Sequence, residues 1–394
     1  MNHIKVRDLA RPQFKANPYP FYARLRSEAP VCRTKLLGQP TSLVTRYDDV
    51  LMVLRDERFT KDWLPRTRWL HRVSGPVTRN MLNKDAPEHT RLRTLVHKAF
   101  TPSLVERLRE RIQSVCDELL TDLTTGGRME LMRRYALPLP LTIIAELLGI
   151  PTRDRSRFHS LSRSSIAASS LIGVLRSLHD QRLLMRRLRK LIAERRRDPR
   201  DDLITALVQA EEAGDRLSEP ELVAMIVLLF IAGYETTVNL IGNGALALIQ
   251  HPEQRELLQQ SPAIADSAIE ELLRYTSPLD MASQRFARED IRVNSTTIQQ
   301  GDVVIAVLGS ANHDESQFPD PDTFDITREP NRHVALGQGV HFCLGAPLAR
   351  LEGQLALTTL FRRFPNLRLL TEPASLRWRK SLIVRGLEEL PVAV

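Results

Sequence analysis

The stretch from Leu336 to Arg350 sets one cysteine between a glycine-rich loop and a helix-forming run, and the rest of the chain has to fold around that loop. Gly337 and Gly339 permit backbone conformations closed to other residues, and Gly345 lets main chain come close to a large flat ligand. Pro347 suits a first helical turn, and Leu348 to Leu357 continue as good helix formers. Cys343 is therefore expected just ahead of a helix N-terminus. Unpaired N–H groups and the helix dipole there favour a thiolate over a thiol, and a thiolate is the form that binds metal.

Three readings of such a cysteine stay open on the residues alone: an inert buried side chain, a nucleophile and a metal ligand. Zinc is disfavoured because no Cys-x-x-Cys and no paired histidine lies nearby. A single thiolate in a glycine cradle suits axial ligation of haem iron, which needs one strong protein ligand on its proximal side. Cys32 and Cys116, the other two cysteines, are too scattered to form a disulfide framework and read as small buried apolar residues.

Nothing among the 394 residues reads as a linker or a repeat, so residues 1–394 are expected to form one domain, with 42% hydrophobic residues to fill its core. The N-terminus lacks the apolar centre of a signal peptide, and no apolar run looks long enough to span a bilayer. The expectation is a soluble, cytoplasmic chain. A net charge of +9 favours an acidic partner over a basic one. Nucleic acid is disfavoured, because no stripe of basic residues interleaved with aromatics occurs.

Three further stretches carry candidate chemistry. Leu222 to Gly233 pass without a charge and read as a helix through the core, yet Ala232-Gly233-Tyr234-Glu235-Thr236-Thr237 then place a carboxylate and two alcohols in it, which is costly unless they act or find partners. A hydroxyl bond from Thr236 back to the carbonyl of Ala232 would kink or widen the helix there. His89 and Arg93, four apart, share one helix face and together suit an anionic group. Glu271 and Arg274, three apart, suit an ion pair.

Gly337-x-Gly339-x-His341-x-Cys343-x-Gly345 resembles the haem-ligand signature of the cytochrome P-450 family, the haem-thiolate monooxygenases, with Leu336 where the family pattern has Phe. Asp-x-Pro-Glu followed by His89-x-x-x-Arg93, the Ala232 to Thr237 segment and Glu271-x-x-Arg274 resemble further family elements in the expected order. The resemblance implies a mainly helical fold with a smaller β region, a triangular helical prism around a buried haem b. It implies Cys343 as iron ligand, with His89, Arg93, Arg285 and His341 as propionate contacts and Ala232, Gly233 and Gly345 against the haem. Thr236 is then the residue that hydrogen-bonds dioxygen and Glu235 a member of the proton relay. Glu271 and Arg274 form a structural lock behind the haem. Its usual third arginine is replaced by Thr323, so Arg328 or another basic group substitutes, or the lock is only a pair.

The implied reaction inserts one oxygen atom of dioxygen into an apolar substrate of fatty-acid, terpenoid or polyketide type, lined by Trp63, Ser169, Met281 and Ile383. Electrons are expected from a ferredoxin and its NAD(P)H-dependent reductase, attracted by Arg91, Lys98, Arg332 and Arg350. The basic run from Arg186 to Arg197 reads as a solvated face, or as a landing surface for a carrier protein bearing tethered substrate. The competing readings are a peroxide-driven haem-thiolate enzyme, disfavoured by the presence of both Glu235 and Thr236, and a non-catalytic haem sensor or carrier.

Overall fold

The computed structural model describes residues 6–36, 38–61, 80–124, 126–155, 158, 160, 171–212 and 214–394. Trp63 and Ser169 lie outside the described residues. Helices dominate. Those that position the site are α1 (Pro12–Ala16), α2 (Tyr19–Glu28), α3 (Tyr47–Arg55), α4 (Glu88–Ala99), α5 (Arg109–Leu120), α6 (Pro138–Leu147), α7 (Leu171–Arg197), α8 (Glu219–Gln250), α9 (Ala265–Thr276) and α10 (Ala346–Arg363).

Local chemistry explains several of their ends. Helix α10 opens with Gly345 at its N-cap and a proline in its first turn, and closes on Arg362 and Arg363, whose charges oppose the negative end of the dipole. Helix α9 begins with Asp266 in its first turn and stops where Ser277 turns left-handed, at φ 41°.

Strands β1 (Val31–Leu36), β2 (Gln39–Val44), β3 (Phe59–Thr60), β4 (Arg285–Ala287) and β5 (Val303–Ala306) form one mixed sheet in the order β1-β2-β5-β4-β3. Only β5 and β2 run parallel, with Val303 opposite Thr41. All four residues of β5 are buried, as a strand covered on both faces requires. A three-stranded sheet joins 368–369, 391–393 and 128–130. Residues 382–385 form a turn, in which one isolated bridge joins Val384 to Leu279.

The chain forms two compact units, one of residues 1–63, 112–139 and 236–394, the other of residues 64–111 and 140–235. In the first, one apolar cluster packs Val44, Val50, Phe59, Val304, Phe318 and Val334. Another packs Leu9, Tyr22, Leu25, Leu43, Phe286 and Ile305.

Helix α8 runs without interruption for 32 residues, so the widening expected at Ala232–Thr236 does not break it. Contrary to the expectation from sequence, it is long and apolar enough to cross a bilayer. Its most apolar window is 61% buried inside the protein, however, which is how a core helix satisfies the same composition.

Candidate functional site

The loop before α10 closes on itself. The Cys343 N–H donates to the Leu336 carbonyl at 2.9 Å, and the Phe342 N–H to that of Gly339 at 3.0 Å. Gly337 and Gly339 take φ of 73° and 74°, the left-handed region that a β-carbon disfavours. At Gly339 a β-carbon would also stand 2.8 Å from the Leu54 carbonyl oxygen at the end of α3. That same oxygen accepts from Arg285 Nη2 at 3.2 Å, while Nη1 donates to the Phe59 carbonyl at 3.3 Å. Arg285 and the cysteine loop are thus brought together on one carbonyl. Cys343 is half-buried and in no disulfide, and a β-carbon at Gly345 would stand 4.0 Å from its sulfur. A β-carbon there would be in ordinary van der Waals contact with the thiol.

Charge is arranged around this loop by α9. Two consecutive glutamates point to different faces, because successive helical residues lie far apart around the axis. Glu270 accepts from Arg350 Nε at 2.6 Å and Nη2 at 2.8 Å, and His333 Nε2 lies 3.1 Å from it. The Ala335 N–H donates to His333 Nδ1, so Nε2 carries the proton that faces Glu270. Burial opposes ionisation of Glu270, but the hydrogen bonds from Arg350 and His333 outweigh it and bring its pKa down to about 2.

Glu271 and Arg274 pair in bidentate fashion, with Nε and Nη2 each at 2.7 Å and both side chains fully buried. The remaining donors of Arg274 go to the carbonyls of Asn312, Pro321 and Thr323. The third basic group is Arg328, whose Nε donates to Glu271 at 3.4 Å and which also holds the carbonyls of Pro319, Asp320 and Thr323. Asn331 and the Asp325 N–H complete the carboxylate. Thr323 contributes through its backbone, and the cation comes from five residues further on.

In the other unit, His89 on α4 is buried and Arg93, one turn later, is half-buried. Along α8, Tyr234, Thr237 and Val238 are buried, whereas Ala232 is exposed and Gly233, Glu235 and Thr236 are partly so. A stripe of small and polar residues therefore opens in the middle of a core helix. At Gly233 the direction a side chain would take is filled by Ile144 of α6, 2.9 Å away, so its small size serves the helix crossing.

Other expectations need correction. Met281 does not line a pocket. Its side chain is fully buried with Leu9, Tyr22, Leu25 and Phe286, because the chain bends at Met281, while Leu279 and Ala282 pack on the neighbouring cluster. Ile383, by contrast, is 43% exposed. Arg350 pairs with Glu270, and Arg91 with Glu221 and Asp215, so both charges meet carboxylates of this chain. The basic run on α7 is not a uniformly solvated face. Arg187 pairs with Asp154, Arg189 and Arg196 with Glu219, and Arg195 is buried against Asp202.

Sequence reasoning passed over Glu270 and His333. The signal was the doubled glutamate, which on a helix must serve two faces. Among the described residues no cluster of three or more His, Cys, Asp or Glu side chains is built for chelation. One accessible thiol in a glycine cradle fits a planar metal cofactor that brings its own remaining ligands.

The model of the family described as cytochrome P-450 matches residues 6–161 and 174–375. The chain belongs to the cytochrome P-450 family. It is 44% identical over 396 residues to the polyketide biosynthesis cytochrome P-450 PksS of Bacillus subtilis, covering 97% of each chain. The solved structure of that relative superposes with a TM-score of 0.93 at 43% identity, over 100% of this chain and 99% of the other. A vitamin D(3) 25-hydroxylase of Pseudonocardia autotrophica is 43% identical, covering 98% of this chain and 96% of its own. P-450 BioI, solved with a fatty-acyl carrier protein, matches with a TM-score of 0.89 at 38% identity, over 97% and 99%. The chain has the P-450 fold and is a haem-thiolate monooxygenase whose cofactor is haem b. The peroxide-driven and non-catalytic readings are not favoured.

Proposed function

We propose that this enzyme hydroxylates an apolar, medium to large acyl or polyketide-type substrate, taking electrons from a ferredoxin and an NAD(P)H-dependent ferredoxin reductase in the cytoplasm. The observation that carries the reading is Cys343: an accessible, disulfide-free thiol held by its own N–H at the mouth of a glycine loop. Cys343 would hold the haem iron through its thiolate, with Gly345 beside its sulfur. His89, Arg93, Arg285 and His341 are the basic groups for the two propionates. The haem, when bound, supplies the activation of dioxygen and the redox chemistry.

The chain's own residues position and protonate. Thr236 offers a hydroxyl from the open stripe of α8, and Glu235 beside it delivers the proton, so that oxygen transfer outruns unproductive electron loss. Ile383, an exposed apolar side chain, contacts substrate. Basic surface groups, exposed Arg332 among them, draw in an acidic redox partner. The relatives named for polyketides and for a carrier-bound acyl chain support an extended apolar substrate, free or tethered.

The reduced, carbon-monoxide-bound spectrum of the wild type beside Cys343→Ala tests the core of the reading. A red-shifted Soret band lost in the variant is expected, and its absence in folded, haem-loaded wild type would overturn the assignment. With ferredoxin and reductase, Thr236→Ala is expected to lower product formed per NADPH consumed about tenfold. An unchanged ratio removes Thr236 from the relay.

A further inference from the structure

A lysine ammonium in an apolar core is costly unless it is paired and hydrogen-bonded. Lys15 on α1 is fully buried, and so are Tyr22 on α2 and Asp280 after α9. Lys15 Nζ donates to Asp280 Oδ2 at 2.5 Å and to the Leu382 carbonyl at 3.0 Å, and the Tyr22 hydroxyl donates to the same Oδ2 at 2.8 Å.

Backbone bonds tie that cluster to the turn at 382–385. The N–H groups of Asp280 and Met281 both donate to the Ile383 carbonyl, at 2.8 and 3.1 Å, and the Arg385 N–H donates to Pro278 at 3.0 Å. The Arg385 guanidinium returns to α1 through the carbonyls of Lys15 and Ala16, and to the end of α9 through that of Thr276. The turn is clamped between α1 and residues 278–281, and the large apolar side chain it leaves exposed is Ile383.

We propose that Lys15, Tyr22 and Asp280 form a buried latch that sets where Ile383 stands and thereby the selectivity of the enzyme for long apolar substrates. This rests on the reading of Ile383 as a pocket residue. None of the three latch side chains reaches substrate; they are positioning residues. Apolar side chains of the same volume would fill the space, but they would hold the turn in several nearly equal positions. An ion pair with two directional hydrogen bonds admits one.

The test titrates the holoenzyme with imidazole and with N-dodecylimidazole, both of which bind haem iron through nitrogen whatever the natural substrate is. Kd is read from the Soret shift. The variants are Ile383→Ala, Lys15→Arg and the double variant Lys15→Met with Asp280→Asn, which removes both charges and leaves no unpaired ion. The expected result is that Ile383→Ala and the double variant each change Kd for N-dodecylimidazole about threefold or more with imidazole unchanged, while Lys15→Arg stays near wild type.

If Ile383→Ala shifts the long probe and the double variant does not, the latch is overturned and the pocket reading stands. If Ile383→Ala shifts neither probe, the pocket reading fails and the latch proposal fails with it. A double variant that weakens both probes equally, or that does not accumulate as folded holoenzyme, reduces the latch to a structural pair and also overturns the proposal.

Discussion

Two regions flanking the cysteine helix solve the same electrostatic problem in opposite ways. On the side of α9, Glu270 and Glu271 are paired and hydrogen-bonded by Arg350, His333, Arg274, Arg328 and Asn331. On the other side, two residues past Arg350 on α10, Glu352 is fully buried, and neither of its oxygens has a hydrogen-bond partner among the described residues. Burial alone pushes its pKa well above the usual carboxylate value, so it is held as the neutral acid. Nearby, burial raises the Cys116 thiol to about 12 and drives the Tyr135 hydroxyl up as well. One region tolerates buried carboxyls by pairing them, the other by leaving them protonated. Pairing gives a rigid lock behind the proposed haem site, whereas protonation makes stability depend on pH.

The sharpest way to break this contrast is Glu271→Gln, which leaves Arg274 buried against a neutral amide. A loss of about 3–5 kcal/mol in urea unfolding of the holoenzyme is expected. A loss below about 1 kcal/mol would mean that the backbone carbonyls around Arg274 suffice without the pair.

Glu270→Gln is the intermediate case. The folded-state pKa of Glu270 lies at about 2 against an ordinary 4.5, so its contribution is complete above the unfolded value and is lost as pH falls from about 4.5 toward 2. Partial exposure limits it to about 1–2 kcal/mol at neutral pH, and the variant should lose that part of the acid dependence.

Glu352→Gln should show the smallest effect near pH 5, where a neutral amide replaces a neutral acid, and the opposite sign of pH dependence above it. Its raised pKa means that the folded state binds a proton the unfolded state has released. Wild-type stability should therefore fall as pH rises above about 4.5, by about 1.4 kcal/mol for each pH unit up to the folded-state pKa, and the variant should lack that slope. Parallel curves for the two proteins would show that Glu352 is not a buried neutral acid.

Much of the proposed site was legible because its signals are local. The cysteine loop needs only glycines, a proline and a helix former in one run, and the structure closes it with bonds spanning a few residues. Glu271 and Arg274 were readable as an i, i+3 pair. The stripe at Ala232 to Thr236 was readable as polarity out of place in an apolar helix. What failed to read was direction and partnership. Met281 and Ile383 both looked like pocket residues, and only the backbone turned one inward and left the other exposed. Arg91, Arg187 and Arg350 looked like free surface charge until folding supplied their carboxylates.

By itself the sequence determined the family and the local form of the cysteine loop, since both are encoded in contiguous residues whose backbone preferences act before any tertiary contact forms. Tertiary structure alone decided which charges are spent, which carboxyl is neutral and what holds the turn at Ile383. Lys15 and Asp280 meet across 265 residues of chain, and Arg328 reaches Glu271 across 57. No periodicity spans such distances: a buried ion acquires its partner, and therefore its role, only when the core has excluded water around both.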